Sequence, residues 1–178
     1  GLGYPRRCRN LHDAAKQMVE HHGGEVPATL EALLALPGIG DYTARAVLAF
    51  ADHEDVGIVD TNIARVIARI ENKSIAKKEL QLVADALVPE GLSWEWNQVL
   101  MDFGATVCTA RAPKCDGCVV NNLCTWNVDG GDDPAPATAG TSKPQARFEG
   151  SDRQARGKLM KALVSGSVRC ADAARVMN

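Results

Sequence analysis

An all-α fold is predicted by three observations. Apolar residues recur every three or four positions through six successive segments, Gly, Pro or capping side chains punctuate them, and no stretch alternates with period two beyond the short run Gly57 to Val59. The first helix runs from Asn10 to His22, with Leu11, Ala14, Ala15, Met18 and Val19 on one face and Gly23-Gly24 as its stop. Thr29 is the N-cap of a short second helix carrying Leu30, Leu33, Leu34 and Leu36, which Pro37-Gly38 breaks. Asp41 to Phe50 is helical again, so Leu36-Pro37-Gly38-Ile39-Gly40 is a tight turn between two helices. Asp60 heads a fourth helix with Ile63, Val66, Ile67 and Ile70 on one side, Leu80, Val83, Ala84 and Leu87 mark a fifth, and a sixth runs from about Trp94 to Thr106.

Composition narrows the function classes. The chain has 178 residues, 46% hydrophobic and 24% charged, which excludes collagen-like, coiled-coil and fully disordered chains. No apolar run approaches the ~18 residues of a membrane span, and Gly1 to Asn10 holds no apolar signal segment, so a soluble protein is expected; it is taken as cytoplasmic, nucleoid-associated and monomeric. The chain begins with Gly and not Met, which suggests a fragment. A net charge of -2 argues against holding nucleic acid by bulk electrostatics, so any DNA contact must be local. Residues 128–146, rich in Gly, Asp, Pro, Ala and Thr, are expected to form a flexible linker. Beyond it, 147–178 holds seven basic residues against three acidic ones and reads as the start of another module, its charge either a solvated helix face or a nucleic-acid contact.

Three features carry chemistry. Cys108, Cys115, Cys118 and Cys124 give the spacing C-x6-C-x2-C-x5-C, four soft ligands in one loop after a helix, suited in chemistry to zinc or to an iron-sulphur cluster. Four unrelated buried thiols or two disulfides are the bland alternatives, disfavoured by the crowding in a chain with no secretory signal; Cys8 and Cys170 stand apart. In the turn, glycines are expected to take positive φ, and the amides opening the next helix make a site for one anion such as a DNA phosphate; an ordinary helix-helix turn also uses Pro and Gly. Asp60, in Val59-Asp60-Thr61-Asn62, is either a plain helix cap or a catalytic carboxylate.

The succession of hairpin, aspartate and four-cysteine loop resembles the helix-hairpin-helix superfamily of endonuclease III and the adenine glycosylases. Gly1-Leu2-Gly3-Tyr4 with Arg7 and Arg9-Asn10-Leu11 is similar to the opening motif of MutY-type adenine glycosylases, with Pro5 in place of a second Tyr, and Phe148 to Gln154 resembles a segment of the archaeal members. The resemblance implies a two-lobed fold: a partial six-helix domain with the hairpin over 1–55 and an iron-sulphur domain over 56–127. It implies a 4Fe-4S cluster on the four cysteines and duplex DNA bearing a mismatch or an oxidised guanine as partner. Leu36, Gly38, Ile39 and Gly40 would hold a phosphate and Tyr4 would wedge beside the oxidised guanine.

Catalysis would rest on Asp60, which stabilises the oxocarbenium ion, Asn62, which orients Asp60 or a water, and Tyr42, within reach of the same carboxylate. Endonuclease III-like members place a Lys at position 42 that attacks the sugar; a phenol cannot form that imine, so base release without strand cleavage is implied. The family's proton-donating Glu lies before the wedge motif, upstream of Gly1, so this fragment is expected to be inactive by itself. Adenine opposite 8-oxoguanine or guanine is the implied target. Thymine in T:G mismatches, an endonuclease III-like activity and a non-catalytic DNA-binding module are the alternatives.

Overall fold

The computed structural model describes residues 5–141 and 147–177, and among them all regular structure is helical. Helix α1 (Pro5–His21) starts ahead of the predicted Asn10 and ends where Gly23 and Gly24 turn the chain at φ 63° and 88°, the amides of His22 and Gly24 both donating to the Met18 carbonyl at 2.9 Å. Helix α2 (Leu30–Ala35) is capped as predicted, Thr29 Oγ1 accepting from the Ala32 N–H at 3.3 Å. With α3 (Asp41–Phe50), these helices bury Ala14, Leu33, Leu36, Ala44 and Leu48 in one apolar cluster.

A second cluster forms around α4 (Thr61–Ile70), in which every residue from Ile63 to Arg69 is buried. Ile63, Ala64 and Ile67 meet Ala49 from the end of α3 and Leu80 and Ala84 from α5 (Lys77–Ala86), while Leu100 and Met101 of α6 (Ser93–Thr106) pack on the edge. Between α3 and α4 the chain forms no regular structure, and side chains meet its backbone groups, as buried polar groups require. The Gly57 N–H donates to Asp85 Oδ1 at 2.9 Å and Gln81 Nε2 donates to the Gly57 carbonyl at 2.9 Å. Ile58 N–H donates to Asn97 Oδ1 at 2.8 Å, and Asn97 Nδ2 donates to the Val56 carbonyl at 2.9 Å. A Cβ on Gly57 would collide with the Ala84 backbone, so glycine is needed for this close approach. The clamped segment delivers Asp60 to its place at the head of α4.

Residues 128–141, expected as part of a flexible linker, instead pack on this body. After α7 (Thr125–Asp129) a short 3-10 turn at Ala135–Ala137 lies on α4, with Ala135 and Thr138 buried. Thr138 Oγ1 accepts from the Ile75 N–H at 3.1 Å, and the Ala139 N–H returns a bond to the Ile75 carbonyl at 3.0 Å. Small residues that read as disorder by composition serve here for close approach, because their partners lie some sixty residues back in the chain. The described residues up to 141 cluster as one unit and those from 147 onward as a second. The second contains α8 (Asp152–Ser165), whose N-cap Ser151 accepts from the Gln154 N–H at 3.3 Å, and α9 (Ala173–Met177), which packs on α8. Among the described residues no helix is long and apolar enough to cross a membrane.

Candidate active site

Asp60 caps α4 with one carboxylate oxygen and is held by the other. Oδ1 accepts from the N–H groups of Asn62 and Ile63 at 2.8 and 2.7 Å, and Oδ2 accepts from Asn62 Nδ2 at 3.1 Å. Asn62 is fixed in turn: its Oδ1 accepts from Arg65 Nη2 at 2.8 Å, and Gly104 of α6 lies so close to the Asn62 Cβ that a side chain at 104 would have no room. Arg65 also donates to the Gly104 carbonyl, and its Nε donates to the Cys108 carbonyl at 2.7 Å. A continuous set of hydrogen bonds therefore runs from Asp60 to the first cysteine of the loop. Burial lowers the Arg65 pKa, an effect that Cys108 and Asp60 partly oppose.

The hairpin corrects one expectation. Gly38 takes φ 78°, and its Cα faces the Asn10 side chain of α1 so closely that a Cβ would collide with it. Gly40 does not adopt positive φ: it is the extended N-cap of α3 at φ −112° and ψ 177°, with no side chain to cap the helix and open space around it. Its role is to leave the first amides of α3 uncovered, and any residue tolerates that backbone. Leu36 is buried in the first cluster, with Ile39 packed against it; the Ile39 N–H donates to the Leu36 carbonyl at 3.2 Å. Tyr42, 48% exposed, stands on the first turn of α3. Among the described residues no hydrogen bond joins it to Asp60, whose acceptors are engaged by Asn62 and Ile63. The wedge candidate Tyr4 lies outside the described residues.

All four loop cysteines are free thiols, which removes the disulfide alternative, and all four line one cavity. Cys108 follows α6, Cys115 opens a 3-10 turn, Cys118 ends it, and Cys124 heads α7; Val66, Phe103, Val107 and Trp126 form the apolar wall. Burial pushes the Cys115 thiol up, and Cys108, Cys118 and Cys124 push it the same way, as four crowded thiols must. Among the described residues no three of them converge as ligands of a single ion would. Four thiol sulphurs on one cavity are soft donors of the kind that zinc or an iron-sulphur cluster takes.

Similarity to known proteins agrees with this geometry. The family described as helix-hairpin-helix motif matches residues 21–50, and the iron-sulphur binding domain of endonuclease III matches residues 108–124. An adenine DNA glycosylase of Mycolicibacterium smegmatis is 41% identical over 166 residues, covering 91% of this chain and 55% of that protein. The chain belongs to the helix-hairpin-helix, endonuclease III superfamily. Within that superfamily a thymine/uracil-DNA glycosylase of Methanothermobacter thermautotrophicus is 38% identical over 126 residues, covering 68% of this chain and 57% of that protein. A solved thermostable thymine-DNA glycosylase superposes with a TM-score of 0.63 at 36% identity, covering 69% of this chain and 59% of that one. The chain thus spans about half the length of the curated relatives it matches. The superfamily's 4Fe-4S cluster is its cofactor, bound within 108–124.

Sequence reasoning missed Arg65, Arg69 and Asp133. Arg69 is 1% exposed; its Nε and Nη2 pair with the two oxygens of Asp133 at 3.1 and 2.7 Å, and its Nη1 reaches Cys108 Sγ at 3.3 Å. Burial disfavours the charge on Arg69, but Asp133 and Cys108 outweigh it and raise the pKa; burial likewise opposes ionisation of Asp133, whose pKa Arg69 and the Ala135 N–H nevertheless lower. The available signal was two arginines four residues apart in a run, Ile63 to Ile70, otherwise made of Ala, Val and Ile, because an arginine that must be buried must also be paired.

Proposed function

We propose that this protein is a DNA glycosylase of base excision repair that removes adenine mispaired with 8-oxoguanine or guanine from duplex DNA by hydrolysing the N-glycosidic bond. The observation that carries the reading is the match to an adenine DNA glycosylase across 91% of the chain, which extends past the cysteine loop into the region of α8. The hairpin supplies binding: the uncovered amides of α3 receive one backbone phosphate, a contact made by dipoles that a net charge of -2 does not forbid. Leu36 and Ile39 seat the turn, and Gly38 and Gly40 keep it free of side chains. Tyr4 wedges beside the oxidised guanine.

The target nucleotide leaves the stack, because its glycosidic bond is inaccessible inside a duplex. As that bond breaks, positive charge develops on the sugar, and the Asp60 carboxylate offsets it. Asn62 is the positioning residue, holding Asp60 Oδ2 at 3.1 Å. Cys108, Cys115, Cys118 and Cys124 are the cluster ligands. The cluster ties the 108–124 loop into shape, and the protein residues carry out the chemistry. Tyr42 cannot form an imine, so the reaction stops at an abasic site.

The test uses the full-length gene product on duplexes containing A:8-oxoguanine, A:G, T:G or A:T, each read with and without alkali. Adenine release from the first two, with strand breaks only after alkali, is the expected result. Removal of thymine from T:G alone would establish the second reading, which the thymine glycosylase relatives favour. Binding without release of any base would reduce the protein to a DNA-binding iron-sulphur module.

A further inference from the structure

We propose that Asp133 is a positioning residue for the cluster: by holding the Arg69 guanidinium in a fork it aims an N–H at the ligand sulphur of Cys108, and the segment 126–139 is thereby a clasp that retains the cluster. The geometry leaves Arg69 one orientation. A guanidinium is planar with five donors in fixed directions, so once one edge is engaged the direction of the other is determined. Here the Nε and Nη2 edge is engaged by both oxygens of Asp133, at 3.1 and 2.7 Å. Nη1 is then directed at the loop, donating to the Thr109 carbonyl at 2.8 Å, the Cys108 carbonyl at 3.4 Å and Cys108 Sγ at 3.3 Å, while Nη2 also reaches the Ala110 carbonyl at 3.3 Å. The face of the plane is covered by the Trp126 ring, 4.8 Å from its centroid.

Asp133 is itself anchored from outside the loop. Its Oδ1 accepts from the Ala135 N–H at 3.0 Å, and the residues that follow are tied to the end of α4: Ser74 Oγ donates to the Pro134 carbonyl at 3.3 Å, and Thr138 Oγ1 accepts from the Ile75 N–H at 3.1 Å. Trp126 Nε1 donates to the Gly131 carbonyl at 3.2 Å, closing the other end of the clasp. The chain thus passes the last cysteine, crosses back over α4 and fastens the first cysteine through Arg69. A hydrogen bond to a ligand sulphur withdraws electron density from it, and outer partners of this kind govern how tightly a metal centre is held.

The test uses the full chain reconstituted with iron and sulphide. Cluster release to a chelator is followed by loss of absorbance near 400 nm, and the iron-Sγ stretching bands are recorded by resonance Raman. Arg69→Gln should release the cluster about tenfold faster and shift a stretching band upward, because the N–H to sulphur bond is lost. Asp133→Ala should do both in the same direction, and the double variant should release no faster than Arg69→Gln alone, since one residue acts through the other. Asp132→Ala, the adjacent acid, should behave as the parent. Should Asp133→Ala fail to fold, Asp133→Asn retains the size of the side chain and Thr138→Val loosens the clasp without touching Arg69; each should accelerate release by a smaller factor. Wild-type release and an unshifted band in the Asp133 variants would overturn the proposal, as would rate effects of Arg69→Gln and Asp133→Ala that multiply in the double variant.

Discussion

Helices α3 and α4 are each preceded by an extended residue, Gly40 at φ −112°, ψ 177° and Asp60 at φ −102°, ψ −177°, yet the two ends present opposite chemistry. At α4 the cap carries a carboxylate that accepts from the amides of Asn62 and Ile63, so the positive end of the helix is satisfied from within. At α3 the cap has no side chain, and the same backbone groups remain open to an anion from outside. One side chain decides whether a helix N-terminus holds a carboxylate in place or receives a ligand. The proposed division of labour follows: α4 fixes the acid that meets the sugar, and α3 receives the phosphate.

The most damaging way to break this comparison is to remove the charge at α4 while keeping its cap. Asp60→Asn in the full-length gene product should lower single-turnover excision by on the order of a hundredfold or more with mismatch affinity and thermal midpoint nearly unchanged, because an amide oxygen caps as well as a carboxylate but offsets no positive charge. Excision near the parent rate would leave Asp60 a cap and nothing more. Next in size is Gly38→Val. Positive φ and the collision with Asn10 should together cost about 1–3 kcal/mol of stability, measured by thermal or denaturant unfolding, and should weaken matched and mismatched duplexes alike.

Gly40→Asp sharpens the comparison by giving α3 the cap that α4 already has. The backbone there suits any residue and a Cβ meets nothing within 4 Å, so the variant should gain a few tenths of a kcal/mol in stability. Its affinity for any duplex should nonetheless fall about tenfold, roughly 1.4 kcal/mol, as measured by fluorescence anisotropy, because the carboxylate takes the amides meant for phosphate. Stability gained with binding unchanged would place the phosphate elsewhere. The smallest effect belongs to Asp41, also at the start of α3, whose carboxyl the exposed Lys77 holds below the usual carboxylate range by hydrogen bonding and charge. A depressed carboxyl pKa stabilises the fold above its unfolded value and ceases to do so as pH falls through the folded one. Asp41→Asn should therefore lower stability by no more than about 0.5 kcal/mol at neutral pH, and the difference from the parent should shrink in thermal melts as the pH is lowered below the ordinary carboxylate range.

Much of the α-helical frame was legible in the sequence, because helix spacing, capping and glycine stops are local: Thr29 caps α2, Gly23-Gly24 ends α1, and the run between α3 and α4 is too short and too tightly clamped by side chains to count as a strand. The cysteine spacing and the order of hairpin, aspartate and loop also sufficed to place the chain in its superfamily, since each of those signals is written in a short stretch of neighbouring residues. Three matters needed the tertiary structure. Gly40 reads like Gly38 in a one-letter sequence, and only the backbone separates an extended cap from a left-handed turn residue. Residues 128–141 read as a linker because their composition lacks bulk, whereas their order comes from Arg69 and Ile75, far back in the chain. Arg65 and Arg69 lie off the Ile63, Val66, Ile67 and Ile70 face by which the helix was recognised, yet they are buried, because α6, the cysteine loop and Asp133 close over them and pair their donors at separations of 39 to 64 residues. Local propensity and spacing are written in neighbouring residues; which distant carbonyl, sulphur or carboxylate satisfies a buried cation is decided only when the helices pack.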